Sequence, residues 1–141
     1  MRRLLLSIAL FAASPAFADG FVLVVSASAG VKKLSTAEAR DVFNGKTRQW
    51  AGGQVVQLVL GAESAADVNW IASTLYATSP KFYLGKVRQE VFKGEMKKPL
   101  ASAGDEAALA LVGATEGAVA AVSEAAAAKL PAGVSKTELG P

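Results

Sequence analysis

Apolar and polar positions along the chain form blocks, and each block predicts one structural element. β-rich runs predict strands at residues 21–25, 55–60 and 117–122, and the continuous apolar run at 21–25 is typical of a strand buried on both faces. Apolar residues with helical spacing fill the stretches 35–43, 64–75, 79–93 and 102–115. A helical turn at 125–130 and a short edge strand at 134–139 are expected to follow. The order β-α-β-α-α-α-β predicts an α/β domain in which helices cover a small sheet.

Polar residues at the predicted helix ends support these boundaries. Ser35 and Glu38 match a capping box, in which the serine hydroxyl accepts from the Glu38 amide and the Glu38 carboxylate reaches back. Asn44-Gly45 supplies a left-handed end for the same helix. Ser79-Pro80 is expected to open a later helix, because proline at the first helical position sacrifices no hydrogen bond.

The first eighteen residues have a different pattern. Two arginines precede an apolar run from Leu4 to Ala13, and the segment from Ser14 to Ala18 ends in a small-x-small motif. This pattern predicts a secretory signal peptide, residues 1–18, cleaved after Ala18. The alternative is a membrane anchor, which needs about 20 apolar residues, and Pro15 interrupts the run earlier. We therefore expect one periplasmic domain, residues 19–141, without stable membrane insertion after cleavage.

Composition then limits the possible chemistry. The chain contains neither Cys nor His, which excludes thiolate nucleophiles, histidine-based triads and the usual zinc sites. Without the signal peptide, 13 basic residues face 12 acidic ones, because Arg2 and Arg3 are removed with it. A domain of net charge +1 lacks the electrostatic footprint of a nucleic-acid binder. We expect a non-enzymatic protein with no catalytic residue, no metal and no cofactor.

The stretch from Leu34 to Lys46, followed by Trp50 and Gly52-Gly53, resembles a signature of phosphate-type periplasmic substrate-binding proteins. These are the receptors of ABC phosphate importers. The segment from Glu116 to Val122 is similar to a late strand of the same family. The resemblance covers roughly residues 22–134 and implies a small mixed sheet flanked by helices, as in one lobe of a type 2 periplasmic binding protein. Receptors of this family have two lobes, so a short single-lobe form is expected.

Four residues are candidates for ligand contacts. Free amides at helix N-termini, together with hydroxyl groups, can bind a small anion without a charged side chain. Ligands of open α/β sheets bind beyond the carboxyl ends of strands, and the candidates there are Ser26, Ser28, Ser64 and the amide of Ala65. Each serine also has a structural interpretation, Ser64 as a helix cap and the other two as ordinary loop residues. Asp67 would place a negative charge near an anion bound at Ser64.

The resemblance implies binding of phosphate or a related small oxyanion in ABC-type uptake, with an ABC permease or a second periplasmic chain as partner. The alternative is a periplasmic interaction or accessory module that keeps the lobe fold without binding a small ligand. That alternative predicts an exposed apolar or small-residue patch, for which Gly117 to Val122 is the candidate. The basic cluster between Lys81 and Lys98 is either a solvated helix face or a weak patch for an acidic partner.

Overall fold

The computed structural model describes residues 20–141, and the predicted signal peptide lies outside this range. The strands are β1 (Phe21–Ser26), β2 (Lys33–Ser35), β3 (Gln57–Leu60), β4 (Leu100–Ala101), β5 (Ala118–Ser123) and β6 (Val134–Gly140). The helices are α1 (Thr36–Phe43), α2 (Ala66–Trp70), α3 (Pro80–Phe92), α4 (Asp105–Ala114) and α5 (Glu124–Ala127). A 3-10 turn over Ala27–Ala29 follows β1, and α2 continues into a π-helical turn over Ile71–Leu75.

The strands form a single mixed sheet of order β2-β6-β1-β5-β3-β4. Strand β1 runs antiparallel to both of its neighbours, β5 and β6, whereas the pairs β2–β6, β3–β5 and β3–β4 are parallel. All strands except β1 therefore finish at the same end of the sheet, which we call the carboxyl end. This arrangement confirms the predicted small mixed sheet flanked by helices.

The expectation of an edge strand at residues 134–139 is wrong. Strand β6 lies inside the sheet, between β1 and β2, because Lys33–Ser35 pairs in parallel with Glu138–Gly140. The strands at the two edges are β2 and β4, which have three and two residues. Segments this short cannot show an alternating pattern, so neither could be recognised in the sequence.

Both faces of the sheet are covered, as the continuous apolar run at residues 21–25 predicted for β1. Leu23 and Val25 of β1 point into the core beneath α1, α2 and α3, whereas Val24 points into the core beneath α4. Phe43 and Trp50 are buried in the first core, and the Trp50 indole Nε1 donates to the Gly117 carbonyl oxygen at 2.9 Å. The motif aromatics therefore pack the corner between helix and sheet. No helix within residues 20–141 combines the length and apolarity needed to span a bilayer.

The predicted helix ends are confirmed where side chains cap them. The Ser35 hydroxyl accepts from the Glu38 amide at 3.1 Å, and the Glu38 carboxylate accepts from the Ser35 amide at 2.8 Å. Asn44 is the C-cap of α1, and Gly45 follows with φ of 86°. Ser79 accepts from the Phe82 amide, with proline at the first turn of α3.

Candidate functional site

The four candidate residues lie at opposite ends of the sheet. Ser26 ends β1 and pairs with Val134, the first residue of β6, so Ser26 and Ser28 lie at the end where the other strands begin. Ser64 and Ala65 follow β3 at the carboxyl end. A strand of five to six residues separates these ends by roughly 17–20 Å. The structure therefore does not bring the four residues into one site, because β1 is antiparallel to β5.

Ser26 and Ser28 interact with each other and with neighbouring loops. Their hydroxyl oxygens lie 3.1 Å apart, and Ser26 is buried. The Gln54 amide Nε2 donates to the Ser28 carbonyl oxygen at 2.8 Å, and the Ala27 amide donates to the Gly133 carbonyl oxygen at 2.8 Å. Hydrogen bonds to Gln54 and Gly133 therefore fix the loop after β1 against the neighbouring loops.

Ser64 does not cap α2, which corrects the expectation from the sequence. The N-cap residue is Ala65, and no side chain makes a cap hydrogen bond there. Ser64 is exposed, and the Ala65 amide donates to the Ala62 carbonyl oxygen at 2.9 Å. A backbone hydrogen bond closes the turn before α2. The Ala65 amide therefore already has an acceptor, and the Ser64 hydroxyl makes no cap hydrogen bond.

Asp67 occupies the start of α2 with its own negative charge. Its Oδ2 accepts from the Gly61 amide at 3.0 Å, and the residue is buried, with 9% of its surface exposed. Burial raises the pKa of Asp67 above its ordinary value; hydrogen bonding to the backbone amides of Gly61, Val68 and Asp67 itself opposes this rise, and the nearby Asp105 charge adds to it. The carboxylate therefore takes the position beside the backbone amides that a bound anion would need.

The other helices that begin at the carboxyl end also carry an acid in their first turn: Glu38 in α1, Asp105 and Glu106 in α4, and Glu124 in α5. Two of these acidic side chains accept hydrogen bonds: Glu38 accepts from the Ser35 amide, and Asp105 accepts from the Ser123 hydroxyl at 2.6 Å. Carboxylates stabilise helix N-termini by offsetting the partial positive charge there. The same charges make this end of the sheet unfavourable for a further anion.

The described part of the chain, residues 20–141, contains no cluster of three or more acidic side chains placed to share a metal ion. The acids at the carboxyl end are instead spread over the first turns of α1, α2, α4 and α5.

A second feature is an open groove between α3 and strands β3 and β4, which we call the α3–β4 groove. Its volume is about 1030 Å³, and its lining includes Leu60, Leu84, Val91, Phe92, Pro99 and Leu100. Phe92 is 91% exposed. Arg88, Lys93 and Lys98 also line the groove. The sequence showed the basic residues of this region but not the groove, because the groove depends on β4, which has only two residues.

The patch expected at Gly117 to Val122 is wrong, since residues 118–122 are buried in the sheet.

No protein-family model matches the sequence, and no curated protein is significantly similar to it. Solved structures do match the fold. An ABC-type phosphate transport receptor from Vibrio cholerae superposes with a TM-score of 0.64 and 15% identity, over 85% of this chain and 46% of its own. A putative phosphate ABC transporter substrate-binding protein from Clostridium perfringens, with bound phosphate, gives 0.60 and 18%, over 85% of this chain and 44% of its own.

A possible phosphate-binding protein from Planctomyces limnophilus gives a TM-score of 0.61 and 13% identity, over 85% of this chain and 41% of its own. The chain therefore spans less than half the length of each of these proteins. At such low identity the matches establish the fold, and they confirm the fold implied by the Leu34 to Trp50 resemblance. The chain has the α/β fold of one lobe of a phosphate-type substrate-binding protein.

Proposed function

We propose that this chain is an exported, non-enzymatic lobe of the solute-binding-protein fold that acts through contacts with another envelope protein, as an accessory module. The observation that carries the proposal is the Asp67 carboxylate, which accepts from the Gly61 amide at the start of α2. Ligands of open α/β sheets bind at this end of the sheet, and here the Asp67 carboxylate accepts the hydrogen bond that a bound anion could accept.

The charges at the carboxyl end favour the accessory role over the binding of an anion. A helix N-terminus favours a bound negative charge by about 0.3–1 kcal/mol at exposed sites. A carboxylate about 4 Å from an incoming anion opposes it by about 4 kcal/mol near a protein surface. Repulsion therefore outweighs the attraction of the helix dipole wherever Asp67 remains ionised.

A non-enzymatic role agrees with the chemistry that is present. The chain has no Cys and no His, and Glu38, Asp67 and Asp105 are each engaged as hydrogen-bond acceptors. Glu38 and Asp67 accept from backbone amides, and the Ser123 hydroxyl that donates to Asp105 also caps α5 by accepting from the Ala126 amide at 3.2 Å, so each contact has a structural role. The structural neighbours are named as receptors and binding proteins.

Calorimetry with phosphate tests the proposal. The chain without residues 1–18 is titrated with phosphate, sulfate and arsenate, and no heat of binding is expected up to millimolar concentration. The Asp67→Asn variant removes the charge, and the exposed Glu63→Gln variant removes a charge from the same turn as a matched control. Micromolar binding of phosphate by the unmodified chain would contradict the accessory role.

Export is a separate part of the proposal. When the full chain is expressed in a bacterial host, the periplasmic protein is expected to begin at Asp19, because the predicted cleavage follows Ala18. N-terminal sequencing of the fractionated protein measures this directly. A protein that keeps Met1 and remains in the cytoplasm would disprove export.

A second function is favoured by the three structural neighbours, one of which contains bound phosphate. In that case the lobe binds phosphate or a related oxyanion for ABC-type uptake, and a permease or a second periplasmic chain completes the site. Deletion of the gene would then lower phosphate uptake in phosphate-limited cells. Unchanged uptake, together with silent calorimetry, would leave the accessory role as the better description.

A further inference from the structure

We propose that the α3–β4 groove binds an extended segment of a partner protein in which acidic and apolar residues alternate, and that this segment adds a strand beside β4. The proposal rests on the accessory role, and it names the surface and the chemistry of the partner. Three independent features of the described residues support it: an apolar floor, an open strand edge and an unbalanced positive charge.

The apolar floor of the groove extends from α3 to β3, because Leu84 and Val91 of α3 pack on the first core and Leu60 of β3 belongs to it. Leu100 of β4 lines the rim at the sheet edge and packs on the second core, on the opposite face of the sheet. Phe92, at the end of α3, leaves 91% of its surface in water although it lines the same groove. Contiguous exposed apolar surface of this kind marks interaction sites in soluble proteins.

The strand edge supplies backbone hydrogen-bonding groups. Strand β4 is the last strand of the sheet, and its pairing is with β3 through Val59–Leu100 and Leu60–Ala101. Its other side has no strand partner among residues 20–141. An extended peptide can pair with such an edge, and alternate side chains then point to one face. On one face those side chains would meet the apolar residues of α3.

The charge of the groove selects an acidic partner. Three cations line it, Arg88, Lys93 and Lys98, and its lining includes no Asp or Glu. Within the described range the ion pairs are Arg48–Glu95 and Lys93–Glu90. Arg88 and Lys98 therefore have no carboxylate of residues 20–141 within 4 Å, and both are exposed. Acidic side chains on the segment would complement these two cations.

Fluorescence anisotropy with designed peptides tests the proposal. The probe is a labelled ten-residue peptide that alternates glutamate with leucine or valine, and the control peptide has lysine at every glutamate position. The chain is expected to bind the acidic peptide at least about tenfold more tightly than the basic one, with an affinity that falls as salt is added. No binding of the acidic peptide at 1 mM, or equal binding of both, would overturn the proposal.

Substitutions locate the binding surface. Phe92→Ala and Lys98→Glu are each expected to weaken the acidic peptide about tenfold, the first through lost apolar contact and the second through charge reversal. Phe82→Ala is the matched control, because Phe82 also lies on α3 and is 58% exposed but lies outside the groove lining. Both Phe92 and Lys98 are exposed, so the variants are expected to fold normally. Equal binding by all three variants would place the peptide elsewhere and contradict the proposal.

The proposal and the accessory role fail in different ways. If phosphate binds tightly in calorimetry, the accessory role is wrong. The peptide experiment still shows whether the groove binds an acidic segment. Analytical ultracentrifugation shows whether a second copy covers the groove instead. A dimer that the Phe92→Ala substitution dissociates would show that a second copy covers the groove, and it would overturn the proposal of a different partner protein. A chain that stays monomeric across the working concentrations agrees with the proposal.

Discussion

The carboxylate of Asp67 lies 3.0 Å from the backbone amide of Gly61, across the turn that joins β3 to α2. The two residues fit each other closely, because a Cβ atom on Gly61 would lie 2.6 Å from the Asp67 Oδ1 atom. The carboxylate thereby satisfies a backbone donor at the end of the sheet and holds the start of α2 against β3. The same contact places a carboxylate at the start of α2, so the stability of this turn and the proposed exclusion of anions both depend on one side chain.

Replacing Asp67 with alanine is expected to lower the free energy of unfolding by about 1–3 kcal/mol, because the partly buried Gly61 amide loses its acceptor. Urea denaturation followed by circular dichroism measures the change. Glu63→Ala removes an exposed acid from the same turn and is expected to change stability by less than about 0.5 kcal/mol. Equal stability of Asp67→Ala and the unmodified chain would show that the contact contributes nothing.

The contribution of Asp67 is also expected to depend on pH. Its pKa is raised in the folded chain, chiefly by burial, so between 3.8 and the raised pKa the folded state binds more protons than the unfolded state. The stabilising effect of the neutral form is complete below the unfolded pKa and is lost as pH rises through the folded pKa. We therefore expect the unmodified chain to gain stability relative to Asp67→Asn as pH falls from 7 to 4. Urea midpoints for both proteins at several pH values measure this difference, and a difference that stays constant or reverses would contradict the raised pKa.

Two glycine-to-alanine substitutions are expected to have opposite effects. Gly61→Ala would force the new Cβ to within 2.6 Å of both the Ala65 Cβ and the Asp67 Oδ1, so it is expected to destabilise the chain. Gly85 lies inside α3, and a Cβ there would meet no atom within 4 Å apart from its chain neighbours and the nearby backbone of its own helix. Alanine at that position is expected to stabilise the chain by about 0.5–1 kcal/mol, because glycine disfavours the helix interior. Thermal unfolding of the two variants gives the signs, and a stabilised Gly61→Ala variant would disprove the close fit.

The helices with side-chain caps could be predicted from the sequence because their signals are local. Ser35 with Glu38, and Ser79 with Pro80, contain the whole of their cap within four residues. The start of α2 could not be predicted in this way, because the Ala62–Ala65 turn closes through its backbone and Asp67 turns back to Gly61. Serine is a favoured helix cap, and the sequence around Ser64 does not show that the Ala62 carbonyl oxygen accepts from the Ala65 amide instead.

The structure separates the candidate residues for a topological reason. Ser26 and Ser64 each follow the carboxyl end of a strand, as the sequence predicted, but β1 runs against β3 and β5. The direction of a strand depends on contacts between distant residues such as Val25 and Val119. Hydrophobic pattern alone does not contain that information. The α3–β4 groove was missed for a related reason, since Leu100 becomes part of the sheet only through its pairing with Val59.

The two tyrosines of the chain are expected to ionise only when the protein unfolds. The Tyr83 hydroxyl donates to the Phe43 carbonyl oxygen at 2.8 Å, and the Tyr76 hydroxyl donates to the Arg40 carbonyl oxygen. Burial raises the pKa of both phenols above 10, with the Asp41 charge adding to the shift at Tyr76. Above pH 10 the unfolded state releases protons that the folded state retains, so the free energy of unfolding falls as pH rises.

Absorbance at 295 nm follows tyrosinate during an alkaline titration, and circular dichroism follows folding in the same samples. The two transitions are expected to coincide above pH 10, whereas the chain in guanidinium chloride should titrate near pH 10. In Tyr83→Phe the ring packing remains but the hydrogen bond to Phe43 is lost, at a cost of about 1 kcal/mol at neutral pH. That variant should also lose less stability per pH unit above 10, because one of the two shifted phenols is absent. Tyrosinate formed near pH 10 while circular dichroism remains native would show that the phenols are open to water, and it would contradict the raised pKa of both tyrosines.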